Sequence, residues 1–181
     1  MKDMILYHYY DKRSGPFKSL TALSDAEAIS ILERIKNERP NSFAAQRDED
    51  YVSKRSRCEA LVREKALKKG IIMDILSPHY MVVMECPWLS SWFEEPGVIR
   101  VPIEKIDKSR ISFTYGDSMP TFSPLVNDGK EYRKKVYTYE EIVSLIDKYG
   151  LPQEWNADGR WGPERYIEAQ VWTDVPMERN I

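Results

Sequence analysis

Five consecutive residues, Tyr80-Met81-Val82-Val83-Met84, are apolar or aromatic at odd and even positions alike. A strand with one wet face alternates, so a run that does not alternate must be covered on both faces. The run therefore predicts a central strand, with a sheet on either side of it and helices above and below. Segments around it supply those parts. Met4 to Tyr10 is rich in strand-forming residues. Ser24 and Glu27 form an S-x-x-E capping box ahead of Ile31, Leu32 and Ile35 at helical spacing, and Pro40 closes that helix. After a polar stretch, Asn41 to Glu49, a second helix is expected from Asp50 to Lys69, ended by Gly70, with Tyr51, Cys58 and Val62 on one face.

Beyond the central run, Pro87 opens a helical turn that sets Trp88 and Trp92 together. Val98 to Ile103 and Arg110 to Tyr115 read as strands, Gly116 to Gly129 as a long loop, and Arg133 to Tyr137 as a basic edge strand. Thr138 and Glu141 cap a third helix that ends at Gly150. Pro152 to Pro163 is irregular, and Arg165 to Thr173 is a last strand. Strand, two helices, several strands, helix, strand is an α+β order rather than a βαβ alternation. The expectation is one α+β domain over residues 1–181, with a largely antiparallel, split sheet flanked by helices.

Several classes fall away on composition. With 42% hydrophobic and 31% charged residues the chain is neither disordered nor fibrous, and a formal net charge of −2 excludes a general polyanion binder. Its longest apolar stretches are far too short to cross a bilayer, so no membrane partner is expected. The first ten residues lack the core of a signal peptide, and two cysteines make no disulfide framework. A cytoplasmic location is the simplest reading.

The last strand carries the clearest candidate site. Ile167, Ala169 and Val171 share one face; Tyr166, Glu168, Gln170 and Trp172 share the other. A carboxylate and an amide between two rings suit a flat polar ligand, and a solvated sheet face with aromatic cross-strand pairs fits the same pattern. His8, beside Leu6 and Tyr10, is either a hydrogen-bonded structural residue or a donor to a ligand hydroxyl. His8, Cys58, His79 and Cys86 match no zinc module. Cys86 with His79 as base, or Glu85 with Glu168 as a glycosidase pair, has nothing local to support it. Lys54 to Lys69 carries a basic bias that suits phosphates or, more commonly, a solvated helix face.

Taken in order, these segments resemble the ADP-ribosyltransferases, most of all the DarT-type toxins that modify DNA. Leu6-Tyr7-His8-Tyr9-Tyr10 stands where that family has Tyr-His-x-Thr, with Tyr10 in place of the Thr. Tyr80 to Met84 followed by Cys86-Pro87-Trp88-Leu89 is similar to its strand and Pro-x-Leu turn, and Phe113-Thr114-Tyr115-Gly116-Asp117 to a strand ending near Thr-Asp-Gly. Arg165 to Val171, then Val175-Pro176, is similar to the closing strand with the catalytic glutamate. The resemblance spans nearly the whole chain, lacks a Ser-Thr-Ser segment, and extends to uncharacterised bacterial proteins of similar length. It implies an ADP-ribosyltransferase-like fold and NAD as substrate. Glu168 would be the catalytic group, stabilising an oxocarbenium-like cation. His8 would bind a ribose hydroxyl, and Arg47 is the best positional match to the arginine that holds NAD. Tyr10, Gln170 and Trp172 would line the pocket, under a lid from Trp155 to Trp161. The competing expectation is a non-catalytic ligand- or protein-binding module. His8 and Glu168 in one cleft would favour the enzyme; His8 and Glu168 apart would favour the module.

Overall fold

The computed structural model describes residues 3–176. Strand β1 spans Ile5–Asp11. Helix α1 (Asp25–Glu38) starts where its capping box predicts: Ser24 accepts from the Glu27 N–H while the Glu27 carboxylate accepts from the Ser24 N–H. Helix α2 (Tyr51–Lys68) stops before Gly70, whose φ of +81° only glycine adopts without strain. Next come β2 (His79–Val83), the turn α3 (Pro87–Ser90), β3 (Pro96–Pro102), β4 (Ile111–Thr114) and the turn α4 (Ser118–Phe122). Helix α5 (Tyr139–Tyr149) carries the second capping box, Thr138 with Glu141. The turn α6 (Pro152–Trp155) and β5 (Glu168–Val171) complete the order.

The five strands form one sheet in the order β3-β1-β2-β5-β4, every neighbouring pair antiparallel. It is continuous, not split. β2 is its middle strand, and Val82 and Val83 are both buried although they point to opposite faces. Register then sorts the side chains. Tyr7 lies opposite Val82, Val82 opposite Glu168, and Glu168 opposite Thr114, so these four share a face. Leu6, Val83, Met81, Ala169 and Phe113 share the other.

That second face is apolar where it packs on Ile142, Leu145 and Ile146 of α5. The first face is divided. Its β1 end is apolar, with Tyr7, Tyr9 and Val82 beneath Trp88, Leu89 and Phe93. Its β5–β4 end is polar, with Tyr80, Glu168, Gln170, Ser112 and Thr114 in the path of α2.

Three expected elements take other forms. Arg133 to Tyr137 is no strand: Lys134 sits at φ +59°, and only Tyr137 bridges to Phe113. The Gly116–Gly129 loop contains α4, capped by Asp117. β5 is shorter than the expected Arg165–Thr173, because Tyr166 and Trp172 flank the ladder rather than extend it.

Candidate functional site

A helix lying on a sheet normally buries an apolar stripe. Helix α2 does so at its two ends, where Val52 packs with Ala28 and Leu32 of α1 and where Val62 and Ala66 pack on Trp172, but not between them. One and two turns before Val62 the same face carries Glu59 and Arg55. The Arg55 guanidinium lies 4.0 Å over the Tyr80 ring and donates to Ser118 Oγ at 3.2 Å. Glu59 is buried and accepts from Tyr80 Oη at 2.8 Å and Thr21 Oγ1 at 2.6 Å. Charge has been placed where packing alone would ask for leucine. Burying unpaired charge costs several kcal/mol, so such a cluster marks a site as much as a scaffold.

Glu168 is the centre of this layer. It is 4% exposed, and Gln170 Nε2 donates to its Oε1 at 3.0 Å. Burial lifts its carboxyl to about 7, and the neighbouring Asp117 carboxylate adds to that; Arg55 and the bonds of Gln170 and Ser118 pull the other way. Asp117 is committed on both oxygens, Oδ1 to the Met119 N–H at 2.7 Å and Oδ2 to Tyr166 Oη at 2.9 Å. Glu168 and Asp117 both act on the Arg55 charge, and near neutral pH Glu168 can hold or release a proton.

Two of the expected pocket residues belong to the support behind Glu168. Gln170 is fully buried: its Oε1 accepts from Ser112 Oγ at 2.8 Å, and its amide also meets Thr114 Oγ1 at 3.2 Å. Trp172 is fully buried too, its indole N–H donating to Ser112 Oγ at 2.9 Å. Neither has a surface left for a cofactor. The β5 face is not a solvated sheet face, since Glu168, Gln170 and Trp172 are all buried.

His8 and Tyr10 are on the opposite side of the sheet. Consecutive residues of β1 alternate, and Tyr7 is the one that faces Glu168 across β2. Both His8 nitrogens are taken by backbone: Nδ1 donates to the Tyr80 carbonyl at 2.9 Å, and Nε2 accepts from the Phe17 N–H at 2.9 Å. Burial lowers its pKa to about 4, which suits a neutral ring stacked on Phe17 at 4.3 Å. Tyr10 lies across Gly97, where even a Cβ would meet its ring at 2.5 Å. A single pocket holding both His8 and Glu168 is therefore ruled out by register. The sequence missed this because period-two reasoning gives faces within a strand, and only pairing relates faces between strands.

Arg47 does stand on the α2 side. Its guanidinium lies 4.2 Å over Tyr51, one turn before Arg55, and its Nε is buried without a hydrogen-bond partner. The expected lid does not form. Trp155 packs into the α5 core, its indole N–H 3.3 Å from Tyr115 Oη, while Trp161 is largely exposed. Fully buried Glu164 ties this segment down, accepting from Lys130, Tyr132 and Arg133 Nη2. Asn156 adds a bond to the Glu164 carbonyl at 2.6 Å.

Part of the charge of the basic helix is paired locally. Lys54 pairs with Asp50, Lys68 with Glu64 and Lys69 with Glu141, while Arg63 donates to the Leu76 carbonyl. His79 packs on Phe17 at 4.8 Å, on the His8 side, whereas Cys86 lies in the Tyr7–Tyr9 cluster with its thiol pKa raised by burial. Glu85 lines a separate groove beside β3. Among the described residues no group of three or more His, Cys, Asp or Glu is placed to hold a metal.

Arg55, Glu59, Tyr80, Asp117 and Ser118 were not singled out from sequence. One signal was available: Arg55 and Glu59 are four apart and in phase with Val62 and Ala66, so two charges fall on the buried stripe. No family model, curated protein or solved structure matches the chain.

Proposed function

We propose that this protein is a ligand-binding module of the nucleotide-recognising kind, with its site on the α2 side of the sheet around Arg55, Glu168 and Asp117. The observation that carries this reading is the charged stripe of α2. Arg55 and Glu59 replace apolar residues against Tyr80 and Glu168, a cost that packing does not require. Arginines lying on rings supply the rest: Arg47 on Tyr51, Arg55 on Tyr80 and Arg165 on Trp88, at 4.0–4.2 Å. Guanidinium groups held flat in this way suit phosphate, and free ring surface suits a base.

NAD-dependent ADP-ribosyl transfer is the second reading. It rests on Glu168 alone, a buried carboxyl of near-neutral pKa on the last strand, because His8 is on the far face. Calorimetric titration with NAD, ADP-ribose and AMP at pH 7.5, with free nicotinamide measured in parallel, separates the two. Binding without nicotinamide release is the expected result. Release that disappears in Glu168→Gln would replace the module by the transferase. Failure of all three compounds to bind would overturn the nucleotide reading altogether.

A further inference from the structure

Beside β3 lies a groove of about 650 Å³ whose lining includes none of Arg55, Asp117 or Glu168. Its position follows from register. Pro96 lies opposite Asp11, Val98 opposite Tyr9 and Arg100 opposite Tyr7, so the even residues of β3 project on the face of the Tyr7–Tyr9 cluster. Turn α3 and the stretch that follows it form the facing wall, with Phe93 packed on that cluster. Pro96 to Arg100 is four strand steps, which makes the groove about 13 Å long.

The lining combines two rings, Tyr9 and Phe93, with Pro87, Pro96 and Val98. Its polar groups are few. The Tyr9 hydroxyl accepts from the Cys86 N–H at 2.8 Å, but its own proton has no acceptor among the described residues, although Tyr9 is only 9% exposed. Glu85, next to Cys86, is exposed on the groove and makes no ion pair or hydrogen bond among the described residues. Glu94, the other acid there, is held by Arg13 at 3.0 Å. On the β3 wall the odd residues bond to β1, which leaves outward N–H groups at Val98 and Arg100 and none at Pro96 or Pro102.

These features decide what fits. An added β-strand needs a regular row of donors and acceptors, which the two prolines interrupt. A polyproline II chain needs no ladder: its carbonyls take isolated donors, and its rings pack on aromatic side chains. At about 3.1 Å per residue, the groove holds about four residues of such a chain. The Tyr9 hydroxyl and the N–H groups of Val98 and Arg100 are donors for its carbonyls, and Glu85 is the counter-charge for a basic side chain. We propose that the groove binds a proline-rich segment of a partner protein, about four residues long, with a lysine or arginine set against Glu85. This surface is separate from the nucleotide site and does not depend on that reading.

Three capped peptides are the probes: four prolines followed by arginine, four prolines followed by glutamate, and alternating valine and threonine of the same length ending in arginine. Each is titrated by calorimetry into wild-type protein, Glu85→Lys and Tyr9→Phe, with amide resonances followed in parallel. The proline–arginine peptide should bind wild type and shift the amides of Val98 and Arg100. The proline–glutamate peptide should bind about fivefold more weakly, and Glu85→Lys should reverse that order, which a merely structural role for Glu85 would not do. Tyr9→Phe should weaken both proline peptides about fivefold, the worth of one hydrogen bond. Tighter binding of the valine–threonine peptide would overturn the proposal in favour of strand addition. No binding of the proline–arginine peptide at millimolar concentration, amide shifts away from the groove, or an unreversed order in Glu85→Lys would each overturn it. Glu85 is exposed, so Glu85→Lys keeps the test decisive if Tyr9→Phe, which leaves the Cys86 N–H without its acceptor, is unstable.

Discussion

At the scale of the residue, Arg55 is the group on which the charged layer depends. It is a cation facing Glu168 and Asp117, and its plane covers the Tyr80 ring. Take it away and the two carboxyls lose a positive charge that offsets them. Replacing one partner of a buried pair typically costs about 3–5 kcal/mol, mostly because the other partner stays buried and uncompensated. Arg55 keeps an exposed edge, so the lower end, about 3 kcal/mol, is the expected loss for Arg55→Met at pH 8. Methionine still covers Tyr80, which leaves charge as the main difference. At pH 5 the loss should be smaller, because Glu168 is then protonated and no longer needs a cation. Urea denaturation at the two pH values decides it. Equal losses would mean that Arg55 acts by packing alone.

Among the elements, β3 shows how a sheet edge can be closed by sequence. Lys12 N–H donates to the Glu95 carbonyl and Ile103 N–H to the Met4 carbonyl. The residues of β3 that bond to β1 are therefore the odd ones, and Pro96, Val98, Arg100 and Pro102 turn their backbone outward. Two of those four have no N–H to offer. The free edge keeps donors only at Val98 and Arg100, too few to template another strand. Substituting Pro96→Thr and Pro102→Thr together should restore a full row of donors and produce concentration-dependent association, read by light scattering. A double variant that stays at the wild-type mass would show that Arg100 and the strand's twist suffice. The same element shows what a sequence reveals. Capping boxes, Gly70, and the two-sided run at Tyr80–Met84 were legible because each is a local rule with a local cause. The polarity of the β5 face was legible too, but what covers it was not. That depends on α2 bringing Arg55 and Glu59 onto a strand more than a hundred residues later in the chain. His8 was misplaced for the same reason, since strand pairing is non-local.

For the whole molecule, His8 and Glu168 act in opposition on opposite faces of the sheet. Burial lowers His8 from 6.5 to about 4, so the unfolded chain binds a proton there that the folded one refuses. Its contribution is lost as pH falls from about 6.5 to 4. Burial raises Glu168 from 4.5 to about 7, so here the folded state holds the extra proton. Stability from this group is therefore lost as pH rises from about 4.5 to 7. At 1.36 kcal/mol for each pH unit, both effects are of the order of 3 kcal/mol and largely cancel across pH 4.5–6.5. Glu164 and Asp128, whose carboxyls are held low, act on the side of His8 but at more acidic pH. Glu168→Gln removes one arm of this balance while keeping the shape and the bond to Gln170. Relative to wild type, the variant should gain about 3 kcal/mol between pH 4.5 and 7.5, and its own stability should climb steeply where that of the wild type is nearly flat. Denaturation midpoints at half-unit intervals measure this directly. A difference between the two proteins that does not change with pH would mean that Glu168 is ionised throughout, and that Arg55 outweighs burial and Asp117 in setting its charge.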